Sequence, residues 1–589
     1  MRRALIALIA LSIAWALVVA LTGGIDLRSR GIPFRSTDPD RAALVVVLLV
    51  VVYALAYRAQ TRTHMSWVDA RMPSVGEWVE RRAPMFASII SAAVMAVGYV
   101  YGAHVAGGAD SYGYISQADL WLTGDLMVEQ PLVRQLPWPN AEWSLTPLGY
   151  RPTPDGSAIV PTYSYGLPVL MAFGTLLAGM CGVFLVTPLL GALAVGMTYV
   201  LGTQVWSRTA GVVAAALMGT SPAFLFMHMN PMSDVPVSGL FAAALALSLS
   251  RLRWAALWTG VVVSAAVAVR PNLLPLGAIF LGWFVVRSGN WRARFLAAAR
   301  FGLGGLPLIA AIAVTNAQLH GAPWQSGYGP LDAYYAWEYV LTNLPFYSRQ
   351  LLRTETPLVI LLAVPLVTWR RIDAERRARL MLMYVFAAGV WLCYVFYMPY
   401  DAWWYLRFYL PAFPPMFVLA MVGCGQLLGT YDRRVLAVAL VVAVVIGVRV
   451  DRVKTEGILR LWQQEAVYPS AARYVQTQLP SNAVILTVQH SGSVRYYADR
   501  LTMRWDWIAP EWWPGALDVL VELGYRPYLL VSHFEEAALR QQFSLGETAD
   551  APGTVVAESP LGVVLYDPLR EHIGASRPMP TIVSCPCSD

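Results

Sequence analysis

The sequence predicts an all-α polytopic membrane domain of about thirteen transmembrane helices, followed by a small soluble α/β domain on the outer side. Three observations lead there. Of 589 residues, 57% are hydrophobic and 13% charged, with a mean hydropathy of +0.51, a composition for which lipid is the main solvent. Apolar runs long enough to cross a bilayer follow one another to about residue 450 and then cease. Between them Arg residues gather in short clusters, and 22 Trp and 29 Tyr supply the amphipathic rings that collect at headgroup level.

Taken in order, the opening MRRALIALIALSIAWALVVALTGG has the basic start of a secretory signal. Its apolar run is long and lacks a small-x-small cleavage site, so it reads as the first membrane helix. Spans are expected to begin near residues 4, 42, 86, 183, 210, 235, 254, 272, 301, 356, 380, 408 and 434. With the N-terminus inside, the cytoplasmic loops receive Arg58, Arg62, Arg71, Arg81 and Arg82, then Arg208, then Arg251 and Arg253. Arg287, Arg292, Arg294 and Arg300 follow, then RRIDAERRAR from Arg370 and the pair Arg433 and Arg434. The net charge of +7 lies in these clusters rather than on one basic domain, which makes them topology signals and excludes a nucleic-acid binder.

The loop from 107 to 165 holds Asp110, Asp119, Asp125, Glu129, Glu142 and Asp155 against Arg134 and Arg151, which suits the outer face. This parity requires that GLPVLMAFGTLLAGMCG, from Gly166, form a juxtamembrane or re-entrant helix instead of a crossing. The chain therefore divides into a membrane domain, 1–450, and an outer α/β domain, 451–589. In the latter AVILTV from Ala483 and YLLVS from Tyr528 read as strands, and the segments from Ser470 and Gly515 as helices. TVVAESPLGVVLYD from Thr554 reads as a hairpin turning at Ser559 to Gly562, and Ser576 to Asp589 as a disordered tail. Cys181, Cys393 and Cys424 lie in apolar runs, and Cys585 and Cys587 form a CPC without zinc spacing, so cysteine is not expected to do chemistry.

Charged residues near the ends of membrane helices are the functional candidates, because burying them is costly. Asp110, in GADSYGYISQADLWLTGDL from Gly108, directly follows the third span, where a carboxylate can act as general base; it also reads as a helix N-cap. Asp234, in HMNPMSDVP from His228, sits at the start of the sixth span, and the same two readings apply. Together the two acids are the residues that would hold a divalent cation, if one is used. Arg407 lies in DAWWYLRFYLPAFP from Asp401, among rings that suit a sugar or a lipid, and Arg270 lies in AVRPNLLP from Ala268. Guanidinium groups there match a phosphate bidentately, or anchor the chain at the interface. Arg151 is a further phosphate candidate, and Tyr112, His228, Tyr328, Trp404 and Tyr405 are expected to line the substrate cavity. No HExxH, P-loop, GxSxG or Gly-rich dinucleotide turn is present, which removes the usual support for zinc proteolysis, ATP-driven transport and serine hydrolysis.

In this order, Asp110, YSYGLPVLMAFG from Tyr163, SPAFLFMHMNPMSDVP from Ser221, AVRPN, SGYG from Ser326 and WWYLRFYLPAFP from Trp403 resemble the C-type (GT-C) superfamily of integral membrane glycosyltransferases. That superfamily includes protein O-mannosyltransferases and aminoarabinose transferases, which use polyprenyl-phosphate sugars. The resemblance implies an inverting transfer to a lipid, glycan or protein acceptor of the cell envelope, with no nucleotide sugar in the site. It implies that Asp110 is the catalytic carboxylate, Asp234 the acid of a second outer motif and Arg407 a ligand of the donor phosphate. The sequence departs from simpler relatives in two extra helices before the Asp110 helix and in a single acid where some members have adjacent ones. The expected location is the plasma (inner) membrane, with the α/β domain outside. A transporter or flippase of a lipid-linked substrate is the alternative, but it would concentrate polar residues near the midplane, whereas these acids and arginines cluster at the outer helix ends.

Overall fold

The computed structural model describes residues 2–22, 24–26, 35–37, 39–56, 73–428, 435–543, 553–557 and 562–569. Arg58, Arg62, Arg71, Arg433, Arg434, most of the turn expected at Ser559 to Gly562, the tail from Ser576, Cys585 and Cys587 lie outside the described residues. Among the described residues, five helices are long and apolar enough to cross a membrane: Glu77–Val100, Gly166–Val205, Trp291–His320, Ala374–Val395 and Trp403–Leu427. Two bent pairs raise the number to seven, Arg208–Gly219 with Pro222–His228 at 59° and Trp337–Thr354 with Pro357–Val367 at 111°. The chain is thus a multi-pass membrane protein.

The thirteen full crossings expected are not reproduced. Ala4–Ala16, Asp234–Ser248, Ala255–Val269 and Pro271–Arg287 are apolar but short. At 1.5 Å per residue a fifteen-residue helix such as Asp234–Ser248 reaches only about 22 Å, less than the roughly 30 Å of a hydrocarbon core. Proline sets several of the breaks. Pro222, Pro271 and Pro357 each open a new helical turn, where a missing N–H costs nothing. At the sharpest bend Thr356 takes φ +67°, and Glu355 beside it meets Arg449 with both side chains fully buried, Nη2 to Oε2 2.9 Å. Arg449 belongs to the helix Val435–Thr455, and its Nη2 also donates to the Glu355 carbonyl at 2.9 Å.

The helix expected to be juxtamembrane or re-entrant, from Gly166, is broken partway along. Ala178 (φ −147°) and Gly179 (φ +59°) leave helical conformation inside Gly166–Val205. Gly174 and Gly182, which a straight helix would hold about 12 Å apart, have their backbones so close that a Cβ on either would enter the other's carbonyl group. The chain therefore doubles back at 178–179, and Phe173, Leu176 and Leu177 are exposed at the tip.

Strand β1 (Ile25–Asp26) pairs with β2 (Arg35–Ser36). In the 107–165 loop, β3 (Val128–Glu129), β4 (Tyr150–Pro152) and β5 (Ala158–Pro161) form an antiparallel sheet of order β3-β5-β4 beside the helix Asp110–Thr123. Toward the C-terminus β6 (Ala483–Leu486), β7 (Leu501–Met503), β8 (Arg526–Ser532), β9 (Thr554–Ala557) and β10 (Val563–Tyr566) form a mixed sheet of order β7-β6-β8-β10-β9. β6 is parallel to both neighbours, and β10 is antiparallel to β8 and β9. The expected strands at 483 and 528, the paired strands from 554, and helices Val467–Gln478 and Trp513–Glu522 are all present. β7 and the helix Ser491–Ala498 add to them. This region grips the 107–165 loop and its approach: Ala106 N donates to Tyr497 Oη (2.7 Å), Leu148 N to Ser491 Oγ (3.1 Å) and Tyr496 Oη to Asp119 Oδ2 (3.1 Å).

Candidate active site

The site is built from four helix ends. Asp110 and Asp234 are each the first residue of a helix, where a carboxylate is favoured by the unpaired N–H groups. Neither caps its helix through its side chain: the preceding residues, Ala109 and Ser233, occupy the cap position. The carboxylates face guanidinium groups instead. Arg407 Nη1 donates to Asp110 Oδ2 at 3.0 Å, and Arg270 Nη2 meets Asp234 Oδ1 at 2.6 Å. Arg270 follows the last turn of Ala255–Val269, and Arg407 lies in the 3-10 segment Trp403–Ala412, whose Pro411 precedes the helix Phe413–Leu428.

Phe408 joins the two pairs, with the Arg270 and Arg407 guanidinium carbons 5.6 and 5.2 Å from its ring centroid. Arg407 also lies over Tyr405 (5.3 Å), and Arg270 Nη1 donates to Tyr394 Oη at 3.2 Å. The pairs differ in access. The Asp234 and Arg270 side chains are 2% and 13% exposed, those of Asp110 and Arg407 26% and 17%, so Asp110 is the more accessible carboxylate while the two guanidinium groups are similarly buried. Tyr163 donates to Asp110 Oδ1 at 2.5 Å, and Tyr114 Oη to Ser233 Oγ at 2.9 Å, which binds the Asp110 helix to the Asp234 turn. Burial acts to raise the Asp110 pKa. The positive charge of Arg407, the Tyr163 hydroxyl and the more distant Arg270 outweigh it and hold the carboxyl below its ordinary range. Burial and the Asp110 charge push the Tyr163 hydroxyl upward, so it remains a donor.

Of the residues expected at the cavity, Tyr328 sits edge-on to Tyr163 with ring centroids 5.9 Å apart, Tyr405 stacks on Tyr400 (3.9 Å) and Trp404 on Phe226 (5.9 Å). Two others are placed elsewhere, contrary to expectation. His228 is 1% exposed, with Nε2 3.0 Å from the Val94 carbonyl oxygen, pressed between Gly98 and Gly191, where any Cβ would strike the imidazole. Tyr112 is buried against Tyr150 and Tyr496 behind the site. Arg151 does not join Arg407 and Arg270: its Nη1 donates to the carbonyls of Ser326 (3.3 Å) and Gly327 (3.0 Å). A divalent cation at Asp110 and Asp234 does not fit this donor set, because each carboxylate is engaged by a guanidinium and no group of three His, Cys, Asp or Glu converges among the described residues.

Tyr163, Phe408 and Glu465 were not anticipated as site residues. The first two lie in aromatic motifs already marked, YSYG and WWYLRFYL, but nothing in LWQQEAVYP distinguishes Glu465. Glu465 ends the helix Leu461–Glu465 and reaches the backbone of Gly107, three residues before Asp110. Burial and the neighbouring Asp110 charge push its carboxyl up to about 7.

No family model matches the chain, and comparison with curated proteins gives no match. Among solved structures, apo ArnT from Cupriavidus metallidurans matches with a TM-score of 0.52 at 14% identity, over 84% of this chain and 98% of that one. The structure of ArnT from the same organism bound to undecaprenyl phosphate matches with a TM-score of 0.50 at 14% identity, over 83% and 99%. The likeness covers more than four-fifths of this chain and nearly all of the other, and it shows that the two share a fold.

Proposed function

We propose that this chain is a membrane glycosyltransferase which moves a sugar from a polyprenyl-phosphate-linked donor to an acceptor at the outer face of the membrane. The observation that carries the reading is the Asp110–Arg407 pair, with the more deeply buried Asp234–Arg270 pair across Phe408. The ArnT fold, one of whose structures holds undecaprenyl phosphate, supports the donor class.

In this reading Arg407, with Arg270 behind it, takes the donor phosphate and stabilises the charge that develops as the phosphate departs. Asp110 accepts the proton of the acceptor hydroxyl as its oxygen bonds to the anomeric carbon. The carbon–oxygen bond to phosphate breaks, the electron pair leaves with the phosphate, and the configuration inverts. Tyr163 aims the carboxylate, while Tyr328, Trp404 and Tyr405 offer rings to the sugar or the lipid. Residues 1–450 would form the membrane domain and 451–589 an outer domain covering the 107–165 loop, with the protein in the plasma membrane.

The test is transfer of radiolabelled sugar from a panel of polyprenyl-phosphate sugars to envelope acceptors, by purified wild type and Asp110→Asn. Transfer by wild type, lost in a variant that still binds donor, supports the reading. Absence of transfer together with carrier flux in liposomes that Asp110→Asn leaves unchanged would replace it with transport.

A further inference from the structure

Across the β4–β5 wall from Asp110 lies a second cavity of about 730 Å³, within the roughly 300–1,000 Å³ typical of small-ligand sites. Glu142, Trp143, Arg151, His320 and Gln325 line it, and neither Asp110 nor either arginine of the two pairs does. His320, the last residue of Trp291–His320, is 7% exposed and lines the cavity, where its imidazole can both donate and accept. Trp143 stacks on Trp507 of the C-terminal sheet region, ring centroids 4.9 Å apart at 20°, and the Arg151 guanidinium lies over its ring 6.0 Å from the centroid.

We infer that this cavity binds a neutral saccharide, a portion of a glycan acceptor remote from the hydroxyl that receives the transferred sugar. The inference rests on the transferase reading for its link to catalysis, but the cavity's chemistry selects the ligand independently. A saccharide hydroxyl both donates and accepts, and the lining offers an acceptor in Glu142, donors in Arg151 and both in His320 and Gln325. Charge argues against an anionic ligand, since Glu142 and Asp155 oppose the single cation Arg151. Asp155 is tied down by Thr153 Oγ1 (2.6 Å) and Ser157 Oγ (2.7 Å), whereas Glu142 has no ion pair among the described residues. An indole suits the C–H face of a pyranose, and a lipid tail would strand the polar lining.

The cavity is joined to the site through one stretch of backbone. Arg151 holds the carbonyls of Ser326 and Gly327, Gly327 lies directly against Thr162, and Tyr328 meets Tyr163, which holds Asp110. A ligand that reorganises Arg151 therefore moves the wall of the reaction site.

The experiment applies the full-length protein in detergent to a printed array of defined oligosaccharides, as wild type, Trp143→Ala, His320→Ala and the milder Glu142→Gln. Retention of at least one neutral oligosaccharide by wild type is expected, reduced about tenfold or more in each variant, with size-exclusion profile and polyprenyl-phosphate binding unchanged. No saccharide retained by wild type, retention of anionic saccharides only, or equal retention by all three variants would overturn the inference. If saccharides bind as expected while no donor supports transfer, the saccharide site stands and the transferase reading falls.

Discussion

Asp110 has two engagements that work against its use as a free base, a guanidinium on one oxygen and a phenol on the other. Each lowers its proton affinity, so in the proposed reaction it would become a useful base only when Arg407 turns to another anion. Asp110→Asn keeps the shape and removes the proton acceptor; turnover is expected to fall about 10²–10⁴-fold with donor affinity little changed, as single-turnover transfer would show. Glu465 carries the opposite perturbation. Its carboxyl is raised from 4.5 to about 7, so between those values the folded protein keeps a proton that the unfolded chain has released. Stability therefore declines as pH rises through that window, and the whole penalty is present above it. Glu465→Gln is expected to raise stability at pH 8 by ~1–2 kcal/mol, allowing for its partial exposure, and to change little at pH 4.5. Equal melting shifts at both pH values would contradict this. The acids and arginines could be singled out in the sequence because charge beside an apolar run is conspicuous, but their pairing could not. Asp110 and Arg407 stand 297 positions apart, and no local pattern reports which carboxylate meets which cation. His228 was misplaced for the same reason: two glycines far from it in sequence, Gly98 and Gly191, make the slot that buries it.

Among the elements, apolar runs marked nearly every helix, whereas their lengths and bends depended on tertiary partners. The break at 178–179 has no local signal in the sequence, where the run from Gly166 reads as continuous apolar helix. The glycines that permit it, Gly174 and Gly182, look unremarkable among the small residues of a membrane helix. Gly182→Val forces a branched side chain into a backbone carbonyl, and loss of folded protein or a destabilisation of roughly 1–3 kcal/mol or more is expected in a detergent melt. The bend at Glu355–Pro357 relies on a charge pair with neither side chain exposed. Arg449→Met alone leaves Glu355 buried without its cation and should cost roughly 3–5 kcal/mol. Adding Glu355→Gln to Arg449→Met should recover much of that loss; a double variant as unstable as the single one would show that packing, not charge, holds the bend.

At the scale of the whole molecule, the C-terminal sheet region is fastened to the chain immediately before Asp110 and to the far side of its loop, through Tyr497–Ala106 and Ser491–Leu148. Removing both hydrogen bonds with Tyr497→Phe and Ser491→Ala is expected to cost on the order of 2 kcal/mol and to speed amide exchange around Ala106 and Leu148. Unchanged exchange there would mean the two regions are held by other contacts. The mixed sheet itself was largely legible, because β-branched runs and a hairpin pattern are local signals, while its attachment to the loop is a matter of distant surfaces. With each acid matched to an arginine, the resting site is electrically balanced, and a phosphate can settle only by drawing Arg407 away from Asp110. The carrier would then be the key that uncovers the base, so events have a compulsory sequence, carrier first and acceptor second. An acceptor that arrives before the carrier would find the base still occupied by Arg407 and Tyr163.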